Sequence, residues 1–200
     1  MRSQVEEVES LVARVGTHPV WGYAHCQRVH EQTRELAEEE GMSYDPEILH
    51  ISALLHDIGL YKAYNLREAP DHARRSATVA ERILSDLDFP PEATRMVTDA
   101  VVHHPPGAKR GRSMEATLLK DAVALDYLGA VGLSRVLAMV GLEDDVPDLP
   151  AAVRHAESLH RSIPGFLTLE SSARIARERV AQTNSFLDDL RGATANLELL

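Results

Sequence analysis

A histidine and an aspartate, His56 and Asp57, stand side by side directly after an apolar run that ends at Leu55. The run predicts a buried helix, and Gly59 follows the pair where that helix is expected to stop. Burial of polar side chains is unfavourable unless a partner compensates them. An imidazole and a carboxylate together can bind a divalent metal ion. We therefore expect the pair to belong to a metal site that other parts of the chain complete.

Further histidines and aspartates with ligand chemistry lie in predicted helices, mostly near helix ends, where side chains from several helices can converge. They are His25, His72, His103, His104, Asp121 and Asp126. A metal ion held by such groups forms hydroxide near neutral pH and neutralises charge on a phosphate, so hydrolysis is the expected chemistry. Histidines at helix ends also serve simply as caps or dipole partners. That is our interpretation of His18, His30, His50, His155 and His160.

The elements that position these residues are predicted to be helices. Apolar residues at helical spacing predict a first helix over residues 5–15 and a second from about Val20 to Glu40, which carries His25. Asp45-Pro46 is a typical helix start and precedes the central helix that leads to His56. The other predicted helices span about residues 72–85, 91–104, 115–140 (one helix, or two joined near Gly129), 151–162 and 168–190. No convincing strand pattern occurs, so the predicted fold class is all-α.

Length and composition are typical of one soluble domain of 200 residues. The net charge of −10 argues against general binding to nucleic acids or to anionic membranes. The sequence contains neither a signal-peptide core nor an apolar run long enough to span a bilayer. The single cysteine, Cys26, excludes an internal disulfide and suits a reducing compartment. We expect a cytoplasmic protein with one domain over residues 1–200.

Three segments resemble the HD-domain superfamily: residues 23–29 (YAHCQRV), 53–59 (ALLHDIG) and 120–130 (KDAVALDYLGA). The likeness covers roughly residues 18–140, and the C-terminal segment is similar to that of small bacterial HD hydrolases. This superfamily has a helical, metal-dependent phosphohydrolase fold with the pattern H…HD…D. The resemblance implies one HD-type helical bundle, with a core over about residues 18–140 and two C-terminal helices over about residues 151–190.

The resemblance further implies that His25, His56 and Asp57 are metal ligands. In the family pattern the fourth ligand is an aspartate at the position that Val123 occupies here, and a valine side chain cannot bind a metal. Asp126, three residues further on the same helical face, is the expected substitute, with Asp121 as the alternative. Ligand types alone leave the divalent ion open among manganese, iron, cobalt, zinc, nickel and magnesium.

His72, His103 and His104 lie between the His-Asp pair and the last aspartates. In some members of the superfamily such histidines bind a second metal. In others they contact the scissile phosphate or protonate the leaving group, and both roles stay open here. Arg28, one turn beyond His25, and Lys62 are the nearest cations for binding the substrate's phosphate.

The expected function is metal-dependent hydrolysis of a phosphoric ester or anhydride in a small molecule, with a nucleotide as the preferred substrate. Two alternatives stay open: a di-iron oxygenase of the HD type, and a degenerate HD domain that binds a ligand without turnover. The expected partner is the phosphorylated substrate, and the apolar C-terminal helices are available for a homodimer. Residues 61–70 and the loop over 105–113, which carries three basic residues, are expected to determine the substrate.

Overall fold

The computed structural model describes residues 3–64 and 71–200, and these residues form nine α-helices and no β-strand. The helices are α1 (Gln4–Val15), α2 (Tyr23–Glu39), α3 (Pro46–Leu55), α4 (His72–Asp86), α5 (Pro91–His103), α6 (Met114–Leu125), α7 (Gly129–Ala138), α8 (Leu149–Ser162) and α9 (Glu170–Ala193). The all-α prediction is confirmed. Most of the predicted loop over residues 61–70 lies outside the described residues. None of the described helices is long and apolar enough to cross a membrane.

The helices that lead into the candidate site begin where the sequence predicts. The Asp45 carboxylate accepts hydrogen bonds from the backbone N–H groups of Glu47 and Ile48, at 2.9 and 3.1 Å, and starts α3. Asp71 caps α4 in the same way. These carboxylates satisfy N–H groups that have no partner inside the first turn.

One predicted helix start differs from the structure, and the structure also decides whether the segment over residues 115–140 is one helix or two. Helix α2 begins at Tyr23, three residues after the predicted start, where Tyr23 N–H donates to the Gly16 carbonyl at 2.8 Å and closes the loop over residues 17–22. The segment over residues 115–140 forms two helices. The first ends at Leu125, and the chain turns into the second at Gly129, whose φ of +71° is one that side-chain-bearing residues rarely adopt.

The chain divides into two compact units, Met1–Val123 and Ala124–Leu200. In the first unit, α3 packs against α1, α2 and α5, and α4 packs against α5 and the short 3₁₀ turn Ile58–Leu60. Leu54, Leu55 and Ile58 are fully buried there, so the prediction that α3 is central is confirmed. In the second unit, α7 packs against α8 and α9 around Leu133, Val136 and Leu187.

The turn after the His-Asp pair depends on close packing at Gly59. Its backbone N–H donates to the Ser76 hydroxyl of α4 at 3.0 Å. A Cβ atom at Gly59 would lie 2.6 Å from the Ser76 nitrogen and 2.8 Å from the Arg75 Cβ atom. Only glycine permits this approach, which holds the end of α3 against α4 and positions His56 and Asp57 between them.

A pair of stacked imidazoles joins α2 to α3. The rings of His30 and His50 lie parallel, 3.9 Å apart. Burial and the neighbouring His50 lower the pKa of His30 to about 4, with smaller effects from Arg34, Glu31 and Glu9. Burial also lowers the pKa of His50. The folded state therefore favours two neutral rings.

This pair is expected to make the protein less stable in weak acid. Below the ordinary histidine pKa of about 6.5 the unfolded chain binds protons that the folded pair excludes, so stability falls as the pH drops from about 6.5 towards 4. The double variant His30→Gln, His50→Gln should lose less free energy of unfolding between pH 7.5 and pH 5.5 than the wild-type chain. Urea denaturation at both pH values measures the difference. An equal loss in both proteins would contradict the assignment.

Candidate metal centre

Five side chains from four parts of the first unit converge on one carboxylate. His25 comes from α2, His56 and Asp57 follow α3, His72 opens α4 and His104 follows α5. All except His72 are buried. The predicted convergence of histidines from several helix ends is present for these residues, and Asp57 is its centre.

The first group consists of His25, His56 and Asp57. The Nε2 atoms of the two imidazoles lie 3.1 Å apart. The Asp57 Oδ2 atom lies 3.3 Å from His56 Nε2 and 3.6 Å from His25 Nε2. Three ligand atoms thus face one another from three sides.

The second group uses the other oxygen of the same carboxylate. Asp57 Oδ1 lies 3.5 Å from His104 Nε2 and 3.9 Å from His72 Nε2. The two Nε2 atoms are 3.3 Å apart. Asp57 is therefore shared by two groups, each of which could hold a metal ion.

The ends of α3 and α5 fix the protonation of the central histidines. His56 Nδ1 lies 2.8 Å from the Ala53 carbonyl oxygen, and His104 Nδ1 lies 2.6 Å from that of Val101. A carbonyl oxygen only accepts, so each Nδ1 carries the proton and each neutral ring presents the lone pair of Nε2. These acceptors are carbonyls that the last turn of a helix leaves unsatisfied.

The electrostatics of the cluster favour an ionised Asp57 carboxylate beside a neutral His104 ring. Burial alone would raise the pKa of Asp57, but the adjacent His56 and the contact with His104 outweigh it and hold the pKa well below its usual range. Burial lowers the pKa of His104, although Asp57 opposes this effect. The arrangement combines one anionic oxygen donor with several imidazole nitrogen donors.

This donor set fits a divalent metal ion. Metal-bound histidines usually donate their second ring nitrogen to a carbonyl or carboxylate, as His56 and His104 do here. Two nitrogen ligands at about 2.1 Å from one ion and at right angles to each other would lie about 3 Å apart, close to the separation of His25 Nε2 and His56 Nε2. The His/Asp cluster is therefore compatible with a divalent metal site.

The two candidates for the fourth ligand differ in what surrounds them. Asp126, in the second unit, accepts a hydrogen bond on Oδ2 from Arg135 Nη1 at 2.8 Å, and its own carbonyl accepts a second from the same nitrogen at 3.0 Å. Asp121, in the first unit, is completely buried. Among the described residues, neither aspartate belongs to the two metal-competent groups.

The remaining predicted site residues lie outside both groups. His103 Nδ1 donates to the Asp99 carbonyl oxygen at 2.8 Å, and its ring lines a separate cavity. Arg28 is half-buried and donates to the Ala24 carbonyl at 3.2 Å. Lys62 is exposed.

Two features that shape the centre escaped the sequence analysis. The Ala53 carbonyl orients His56, and the Val101 carbonyl orients His104. The sequence contained a signal for both contacts, because each carbonyl belongs to the residue three positions before its histidine, near the end of a predicted helix. Arg135 as the partner of Asp126 had no such signal. Arg135 lies nine residues after Asp126, and the two side chains meet only because the chain turns between α6 and α7.

An all-α fold with buried histidines around a shared aspartate is that of a helical protein compatible with a divalent metal site. A family model described as HD domain matches residues 22–129, more than half of the chain, so the chain belongs to the HD-domain family. The matched segment contains His25, His56 and Asp57. A search of curated proteins gives no significant match.

Solved structures with the same fold cover nearly the whole chain. Bacillus subtilis YpgQ in complex with ADP is 23% identical, with a TM-score of 0.71, over 95% of this chain and 94% of YpgQ. A Lactobacillus plantarum protein is 19% identical, with a TM-score of 0.71, over 96% and 98% of the two chains. A Bacillus thuringiensis protein described as an HD-superfamily hydrolase is 22% identical, with a TM-score of 0.69, over 96% and 98%. At these identities the likeness concerns the fold.

Proposed function

We propose that the protein is a metal-dependent phosphohydrolase of a small phosphorylated molecule, most readily a nucleotide. The observation that carries the proposal is the buried Asp57 carboxylate, which four imidazoles surround with their Nε2 atoms within 3.3–3.9 Å of its oxygens. Membership of the HD-domain family supports the reaction class. The presence of ADP in the YpgQ structure supports a phosphorylated ligand.

The proposed ligands of the ion are His25, His56, Asp57 and one of the two acids Asp121 and Asp126. Of the two predicted acids we favour Asp121, because the Asp126 carboxylate already forms a buried ion pair with Arg135. Asp121 is buried in the unit that contains the other three ligands.

A bound divalent ion supplies hydroxide near neutral pH and charge neutralisation for a phosphate. The residues of the chain orient and exclude water around it. The end of α3 holds the ligand atoms of His56 and Asp57 in place, and α2 holds that of His25. His72 has a side chain that is 39% exposed and can reach solvent and substrate, so it is the proposed proton donor to the leaving group. Arg28 and Lys62 are proposed to bind the distal phosphate oxygens.

The shared carboxylate also favours a second candidate function. Each oxygen of Asp57 faces a different pair of histidines, which is the arrangement needed for a carboxylate that bridges two metal ions. With two irons the site would suit the di-iron oxygenase chemistry of the HD type. Metal content separates the two candidates, since about two irons per chain would favour the oxygenase.

The proposal is tested by one preparation taken through two assays. Elemental analysis of the purified chain, before and after incubation with manganese, should give about one divalent ion per chain. Phosphate release from nucleoside mono-, di- and triphosphates should require that ion, stop with a chelator and return when manganese is restored. Absence of metal-dependent phosphate release from every substrate in the panel would contradict the hydrolase.

The buried Cys26, whose thiol contacts the Leu54 carbonyl and the Tyr61 hydroxyl, supports a protein that works in a reducing compartment. We propose a cytoplasmic enzyme of one HD-type domain on this ground and on that of the family match.

A further inference from the structure

A second cavity lies beside α5, within the first unit. It has a volume of about 550 Å³ and is lined by α5 and by the residues just before α6. Its lining includes Arg95, Met96, Asp99, Val102, His103 and Arg112. Cavities of about 300–1,000 Å³ are the usual size of small-molecule sites.

The adjacent histidines at the end of α5 separate this cavity from the metal centre. His104 directs Nε2 at Asp57, 3.5 Å away. His103 is the next residue back, about 100° around the helix, and lines the cavity. Its Nδ1 donates to the Asp99 carbonyl oxygen, so Nε2 is the ring nitrogen left for a ligand.

The wall opposite α5 is held in place by backbone contacts. The Arg112 N–H donates to Asp99 Oδ2 at 2.8 Å, and Lys120 Nζ donates to the Ala108 carbonyl at 2.7 Å. A Cβ atom at Gly111 would lie 2.5 Å from the Ala116 Cβ atom and 3.1 Å from Asp99 Oδ2. The loop over residues 105–113 is thus attached to both α5 and α6, and the cavity is preformed.

Among the charged residues described around the cavity, Arg112 is the cation available to a ligand. Glu92 pairs with Arg95. The Asp99 carboxylate accepts from Arg112 N–H and lies 3.4 Å from His103 Nδ1. Within the described part of the chain, the Arg112 guanidinium forms no ion pair with either acid. The half-buried Met96 and Val102 contribute apolar surface beside it.

We propose that this cavity is a binding site for a small aromatic phosphate, separate from the metal centre. The Met96 and Val102 side chains take the ring, with which a methionine sulfur interacts favourably. Arg112 binds the phosphate through its planar set of donors, and His103 Nε2, whose lone pair is left free by the Nδ1–H, accepts a hydrogen bond from an amino group on the ring. The site does not depend on the proposed hydrolysis.

The test follows the Met96 methyl group of the full-length chain by NMR, with methyl-labelled methionine and Met96→Leu to assign the signal. Titration with AMP should shift this signal saturably, with a midpoint of about 1 mM or tighter. The titration contains EDTA, which stops the proposed metal-dependent hydrolysis of AMP, and the shift should persist because the metal centre is not involved. Adenosine lacks the phosphate and inorganic phosphate lacks the aromatic ring, so each should bind at least tenfold more weakly than AMP.

Two variants of the same loop give a matched pair. Arg112→Ala removes the guanidinium but keeps the backbone N–H that bonds to Asp99, so the wall stays attached while AMP affinity falls at least tenfold. Lys109→Ala removes an exposed cation of the same loop that does not line the cavity, and the affinity should stay within twofold. No saturable shift of Met96, a shift that EDTA abolishes, or an equal loss in both variants would overturn the site.

Discussion

Asn in place of Asp57 is expected to remove the bound metal and to lower the rate of phosphate release by a factor of about 1,000 or more. Both metal-competent groups use this carboxylate, one through Oδ2 and the other through Oδ1. An amide keeps the size of the side chain but loses the negative charge that a divalent cation requires. No other residue of either group is shared, so no other single replacement should have so large an effect.

The matched control is Asp45→Asn, at the opposite end of the same helix. It makes the same change of charge, and asparagine caps helices about as well as aspartate. Metal content and rate should stay within about twofold of the wild-type values, because the cap lies roughly 15 Å from the pair at 1.5 Å per helical residue. Elemental analysis and phosphate release measure both variants, and circular dichroism confirms that each is folded. An Asp57→Asn enzyme that keeps its metal and a tenth of its rate would contradict the assignment.

The helices of this fold were predictable because their signals are local. Asp45 and Asp71 cap the helices that they precede in sequence, and a cap depends only on the next three residues. The apolar run before His56 likewise predicted a buried central helix, because a helix that is apolar on most faces must be enclosed. These inferences needed no knowledge of which helices are neighbours.

The different surroundings of His103 and His104 were not predictable, because they depend on contacts between helices that are distant in the sequence. Both carry the same chemistry and both end α5, yet only His104 lies beside Asp57, while His103 bonds to the Asp99 carbonyl and lines another cavity. Their directions depend on where α5 lies relative to α3 and α4. Sequence spacing gives the angle between two side chains of one helix and leaves open which of them meets a neighbouring helix.

The surroundings of Asp121 and Asp126 were not predictable for the same reason, because they depend on where the chain turns after α6. Spacing on a helix that continues past Val123 favours Asp126, which lies on the same face. The helix instead ends at Leu125, and the chain turns at Gly129 into α7. That turn brings Arg135 to Asp126, with the guanidinium carbon also 4.8 Å from the centre of the Tyr127 ring. The aspartate thereby acquires a structural partner that its position in the sequence does not predict.

Replacement of Asp121 and of Asp126 should therefore have opposite consequences. Asp121→Asn should lower metal content and reduce phosphate release at least 100-fold per folded molecule. Asp126→Ala leaves the buried Arg135 without its carboxylate, which typically costs about 3–5 kcal/mol of stability. Per folded molecule, Asp126→Ala should keep its metal and release phosphate within about threefold of the wild-type rate.

The comparison requires stability and activity to be measured on the same samples. Urea denaturation gives the folded fraction, and elemental analysis and phosphate release are then expressed per folded chain at low temperature. The double variant Asp126→Leu, Arg135→Met removes the whole buried pair and should recover most of the lost stability, because apolar side chains of similar size can replace a buried ion pair. If Asp126→Ala loses its metal while folded, and Asp121→Asn keeps it, then Asp126 is the fourth ligand. In that case its contact with Arg135 positions a metal ligand, and the family pattern is completed three residues beyond Val123.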